Sequence, residues 1–262
     1  MFCLYISLAL LQGDKKTLKE VKLENTMPIG LHQVVSSYAR QLFADAIYIK
    51  VVVFLGSKPL PKVDDYKNNL YQHFLVIQAL HPQLIDMYYL SESSLSWVSK
   101  ADTLRVNELM SVGMAKKTEE WLLYFFKGFN EFYYLQEPAE AARTLYASSA
   151  IESTPLWLGS LATVLAAKGG ELRAGLSWLK VMWGSETDVD QKKRYARDIV
   201  TFEKALLIQV ALEHFKGIHQ VWPESLSELV PDFLVELPVI KGDQYDLSYA
   251  NEQLRLLRPK RK

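Results

Sequence analysis

Cysteine is almost missing from this chain: Cys3 stands alone in 262 residues. One thiol closes no internal disulfide and cannot furnish a thiolate metal cluster, so neither kind of staple is expected to hold the fold. A surplus of either charge is missing too. Thirty acidic side chains meet 30 basic ones, and without excess Lys and Arg a protein has little with which to displace counterions from nucleic-acid phosphates. The only dense basic run is Arg258, Lys260, Arg261 and Lys262; it is short, has no interleaved aromatics, and reads as a solvated terminus. No nucleic-acid partner is expected.

The usual signatures of catalysis are lacking as well. The chain has no Walker phosphate loop, no Gly-x-Gly-x-x-Gly, no Gly-x-Ser-x-Gly elbow and no His-Glu-x-x-His helix. Its five histidines are scattered, and the spacing of His214 and His219 puts them on different faces of a helix. They read as surface or cap residues. Ser91, Ser93, Ser94, Ser96 and Ser99 crowd one helical stretch with no base at a fixed spacing. No catalytic residue, no metal and no cofactor is expected.

Long apolar runs are scarce. Met1 to Gln12 is almost wholly apolar, yet a bilayer-spanning helix needs roughly 20 such residues. No cationic segment precedes this run, as a signal peptide would require; Lys15, Lys16, Lys19 and Lys22 follow it instead. Three readings stand: a short buried helix, the stub of a membrane anchor, or a poor signal sequence. The second reading would associate the protein with a membrane through residues 1–12; the first would leave it cytoplasmic.

What the chain does have is apolar periodicity, with 49% hydrophobic and 12% aromatic residues. Val34, Val35, Tyr38, Leu42, Ala46, Ile49 and Val53 recur at three- and four-residue steps, which predicts a core helix packed on the next hairpin. Asp64 to Leu80 follows with Leu70, Phe74, Ile77 and Leu80 on one face, and His81-Pro82 ends it. Helices are expected from Leu84 to Val98 and from Ala101 to Lys116, with Thr118 as an N-cap for the next. Two helical hairpins then run from Trp121 to Ile151 and from Pro155 to Trp183.

Pro82, Thr118 and Pro155 each precede a new aromatic-rich helix, at the 34- to 40-residue period that a helix-turn-helix solenoid consumes. Gly128 is expected opposite Ala162 as a small position where first helices approach. Gly169-Gly170 and Glu137-Pro138 supply the turns. Beyond Gly184, Asp188 and Asp190 open a helix of near thirty residues that should cap the array, carrying Tyr195, Ile199, Phe202, Leu206, Val210, Leu212 and Phe215. Trp222-Pro223 introduces a short helix over Glu224 to Leu229. After Gly242-Asp243, alternating Tyr245, Leu247 and Tyr249, then Leu254 and Leu256, mark a small hairpin turned by Asn251-Glu252.

On these residues the stretch from Tyr66 to Trp183 resembles the tetratricopeptide-like repeats, in a degenerate form with Tyr124 where the consensus has Trp and Glu92 where a small residue is usual. The segments Leu42 to Tyr48, Trp121 to Asn130 and Trp222 to Leu229 look like those of uncharacterised bacterial tetratricopeptide-like proteins, which often carry an amino-terminal membrane anchor and a small carboxy-terminal module. The resemblance implies an all-α, TPR-like helical-hairpin solenoid with a long capping helix and a small C-terminal β-hairpin. Its expected divisions are residues 1–62 (apolar segment and capping helix), 63–186 (repeats) and 187–262 (long helix, short helix and hairpin). It also implies a non-catalytic scaffold for another protein or peptide, at a bacterial membrane. With Gly128 as register marker, a concave partner groove would expose Asp86, Tyr89, Ser93 and Trp97 in one repeat and Leu122, Phe125, Phe129 and Tyr133 in the next. Aromatic stripes at this spacing also build cores, and the long helix could fill the groove. The alternative function is a binding protein for a lipid or other small apolar ligand in the concavity.

Overall fold

The computed structural model describes residues 23–57, 60–116, 119–240 and 245–259. The apolar run at Met1 to Gln12, the lysines after it, the cap at Thr118 and the Gly242-Asp243 turn lie outside these. Among the described residues the protein is mostly helical, with ten α-helices and one two-stranded sheet, and no helix is long and apolar enough to cross a membrane. The chain divides into two compact units between Val98 and Ser99.

The first unit holds α1 (Ile29–Ser36), α2 (Arg40–Gly56), α3 (Val63–Leu80) and α4 (Ile85–Leu95). Helix α3 forms where its periodicity placed it. Asp64 and Asp65 sit in its first turn, where the helix dipole favours acids, and Leu70, Phe74, Ile77 and Leu80 are buried. His73, expected at the surface, is buried on the same face; its Nδ1–H donates to the Asn69 carbonyl at 2.7 Å, and burial holds its pKa below the ordinary value. On α4 the serine-rich stretch turns inward on its own backbone, with Ser94 Oγ donating to Leu90 O at 2.6 Å and Ser96 Oγ to Glu92 O at 2.6 Å. Such bonds from a hydroxyl to the carbonyl of the preceding turn are common for serine in helices.

The segment from Leu31 to Val53 departs from expectation. It is two helices, broken at Ser37, whose φ is 21°, and its apolar stripe faces out. Val34 is 74% exposed, Leu42 69% and Ile49 60%, and Val35, Tyr38, Ala46 and Val53 are exposed with them. Helix α2 does pack on α3, but through Ala44, Val51 and Phe54, with Phe54 edge-on to Tyr66 at 5.1 Å. Both faces of α2 are apolar, so periodicity selects neither; the small Ala44 lets the opposite face approach more closely. A consequence follows for Leu42→Lys, which should change unfolding free energy by no more than about 0.5 kcal/mol, as at other surface positions. A loss of about 3 kcal/mol, the cost of a core truncation, measured by urea denaturation would place Leu42 inside.

The second unit holds α5 (Lys100–Lys116), α6 (Trp121–Tyr133), α7 (Pro138–Ala147), α8 (Leu156–Gly169), α9 (Leu172–Ser185) and α10 (Val189–His219), followed by strands β1 (Asp246–Ala250) and β2 (Gln253–Leu257). Each helix from α5 to α10 packs on the next in sequence. Pro138 occupies the first turn of α7, where its missing N–H costs nothing. Gly170 ends α8 at φ 82°, a left-handed conformation that glycine adopts without the clash of a Cβ. Gly128 is a position of close approach, as expected, but toward the other helix of its own hairpin: a Cβ there would lie 2.5 Å from Leu145 Cδ2.

Two cores result. Ala141, Ala142 and Leu145 of α7 join Leu158, Ala162, Leu165 and Ala166 of α8, with Trp121, Phe125 and Phe132 of α6 packed at the edge. Helix α10, capped by the Asp188 carboxylate accepting from Gln191 N at 2.7 Å, brings Phe202, Ala205, Ile208 and Leu212 against Leu172, Leu176 and Leu179 of α9 and against Tyr245, Leu254 and Leu256 of the tail. Val210, expected on this face, is exposed. The short segment after Pro223 is a 3-10 turn over Leu226–Leu229 with a capping box between Ser225 and Glu228. The hairpin pairs Ala250 with Gln253 across Asn251 and Glu252, at φ 51° and 60°, as a two-residue primed turn requires.

Candidate functional site

Three faces of α6 do three different things. One faces α5, where Asn130 Nδ2 donates to Asn107 Oδ1 at 2.9 Å in a buried polar clasp. Glu131, also buried, is paired with Lys127 at 2.9 Å. A second face carries Gly128 against α7. The third is aromatic: Trp121, Phe125, Phe129 and Tyr133 follow at intervals of four and so rise one above another.

This third face changes character along its length. Trp121 and Phe125 are half-buried and meet edge-on at 6.5 Å. Trp157, from the first turn of α8, closes on both, 6.4 Å from Trp121 and 5.9 Å from Phe125. Further along, Phe129 and Tyr133 stack at 5.3 Å with only 11° between their planes, and Tyr134 stands edge-on to both, at 5.9 Å and 5.1 Å. Phe129 is 39% exposed, Trp157 51% and Tyr133 58%. The stripe is thus core at its start and open aromatic surface at its end. Helix α10 does not belong to this core; its apolar side chains gather with α9 and the tail.

Of the residues proposed from sequence on α6, Phe125, Phe129 and Tyr133 form one connected series, whereas Leu122 is half-buried and outside the ring contacts. The others belong to the first unit. There Asp86 and Ser93 are exposed, Tyr89 is half-buried, and Trp97 is exposed with its Nε1–H donating to Ser93 O at 3.1 Å. Asp86 adds to burial in raising the pKa of Tyr48, so its carboxylate acts within that unit on α2. Sequence reasoning missed Trp157 and Tyr134. Trp157 follows Trp121 by 36 residues, the repeat spacing itself, and that was the signal available.

Among the described residues no group of His, Cys, Asp and Glu could hold a metal ion. No protein-family model, no curated protein and no solved structure matches this chain.

Proposed function

We propose that this protein is a non-catalytic, tetratricopeptide-like scaffold that holds another protein or peptide on the aromatic face of α6, within a membrane-associated assembly. The carrying observation is the open end of that face, where Phe129 and Tyr133 stack and stay exposed beside a buried aromatic start. Rigid aromatic rings offer large contact area at small entropic cost, and such residues dominate the energetics of recognition surfaces. The repeat reading is supported by the consecutive packing of α5 to α10, the close approach at Gly128 and the turn at Gly170. The membrane reading is supported by the outward apolar face of α1 and α2, which follows the apolar run of residues 1–12 within one unit.

The alternative of a lipid pocket calls for an apolar cavity; of two cavities among the described residues, the one of about 800 Å³ is mainly polar and the one of about 600 Å³ mixes Glu24, Asn25, Asp65 and Asn69 with Leu23, Phe54 and Tyr66. Affinity purification of wild type and of Phe129→Ala/Tyr133→Ala, with quantitative mass spectrometry, tests the choice. The scaffold reading predicts at least a tenfold loss of a reproducible partner from the double variant at unchanged melting temperature. Equal recovery from both proteins, or stoichiometric lipid from both, would overturn it.

A further inference from the structure

Helix α10 presents one continuous inward face, and that face changes chemistry halfway. Phe202, Ala205 and Leu212 are its apolar half, sealed by α9 and the tail. Toward the amino terminus the same phase carries Gln191, Arg194, Tyr195 and Asp198, at steps of three and four. Tyr195 and Asp198 are buried, Tyr195 at the edge of the apolar core, whereas Gln191 is half-buried and Arg194 is exposed. They line an open cavity of about 800 Å³, bordered on the other sides by Ser160 and Thr163 of α8, Leu179 of α9, and Tyr245, the exposed Arg258 and Pro259 of the tail.

The walls are set rather than loose. Tyr195 and Tyr245 are 5% and 2% exposed. Ser160 Oγ lies 3.3 Å from the Tyr195 hydroxyl, Phe202 meets Tyr245 edge-on at 5.6 Å, and the pKa of the Tyr245 phenol is pushed up to about 12, chiefly by burial and against the pull of Arg258. Arg194 has no acidic partner among the described residues. Asp198 is the one acid in the lining; burial raises its pKa to about 6, against the pull of Arg258 and Arg197. Two guanidinium groups, which are always charged and fork toward planar oxyanions, thus share a cavity with hydroxyl groups and a single carboxyl group.

We infer that this cavity is a binding site for a small hydroxylated organic anion, its phosphate or carboxylate group held by Arg194 and Arg258 and its hydroxyls by Ser160, Tyr195 and Gln191. A volume near 800 Å³ is that of a small-molecule pocket rather than a protein interface. The site is independent of the α6 face and so goes beyond the scaffold reading. It gives the protein a ligand as well as a partner.

Isothermal titration calorimetry on the full chain tests this, with ribose 5-phosphate, malate and ribose as probes in an uncharged-ligand buffer at pH 7.5. Saturable binding of ribose 5-phosphate assigns the anion as a phosphate, and of malate as a carboxylate. Either should weaken at least tenfold in Arg194→Gln/Arg258→Gln. Asp198→Asn removes the one repelling charge and should tighten binding several-fold, which also guards against a double variant that merely misfolds. Binding of neither anion to wild type, binding of ribose alone, or affinities unaltered in both variants would overturn the assignment.

Discussion

Gly169→Ala is expected to destabilise the second unit by about 3 kcal/mol, the upper range for overpacking a close contact. A Cβ on Gly169 would lie 2.7 Å from the Ala139 backbone nitrogen and 2.9 Å from its Cα. Both belong to the first turn of α7, so no side-chain rotation relieves the clash. The α7–α8 contact must open, and with it the core of Ala141, Leu145, Leu158 and Leu165 on which the aromatic face of α6 is mounted. At about 2 to 4 °C per kcal/mol for a domain of this size, the transition should fall by roughly 10 °C in a thermal scan. Gly217→Ala is the matched control. It sits in the last turns of α10 with nothing near its Cβ, and alanine there should be neutral or stabilise by a few tenths of a kcal/mol. Equal melting temperatures for the two variants would mean that α7 and α8 do not approach as described.

Phe202→Ala should cost more, about 4 kcal/mol, as expected for a fully buried ring. Phe202 is 0% exposed and joins α9, α10 and Tyr245. It is also seated on Gly175, where a Cβ would lie 2.6 Å from the ring Cε1. That geometry makes a second, signed forecast. Gly175→Ala alone should destabilise by about 2 kcal/mol, yet in the Phe202→Ala background its methyl enters the vacated space and the extra cost should vanish. Contacting residues are expected to couple in this way. Additive losses in urea denaturation would contradict the packing of α9 on α10.

Local signals in the sequence proved good guides to where elements stop. The Asp188 cap, the glycine pair after α8, Pro138 at the start of α7 and Asn251-Glu252 in the hairpin are each found where their chemistry demands. These devices act over a few residues, and no distant partner is needed to read them. Which way a helix faces is another matter. Helix α2 is apolar on both sides, so Leu42 and Ile49 read as core and face out, and Ala44 and Val51, less conspicuous, do the packing. Asp198 and the Asn107–Asn130 clasp were invisible for the opposite reason: a polar residue on a helix reads as solvated until the neighbouring helix is in place. On α6 the spacing of Phe125, Phe129 and Tyr133 was legible, but the point at which the stripe leaves the core depends on where α8 ends its cover. Only Trp157 in place reveals that.

In the proposed scaffold the α6 stripe emerges from the core as an open binding surface. Hydroxyl-radical footprinting with mass spectrometry reads this side chain by side chain, on the free protein and on the complex recovered with its partner. Strong modification of Phe129, Tyr133 and Trp157 is expected in the free protein, with little at buried Leu123, and protection of the first three in the complex. Weak modification of Phe129 and Tyr133 in the free protein, or labelling unchanged by the partner, would contradict it.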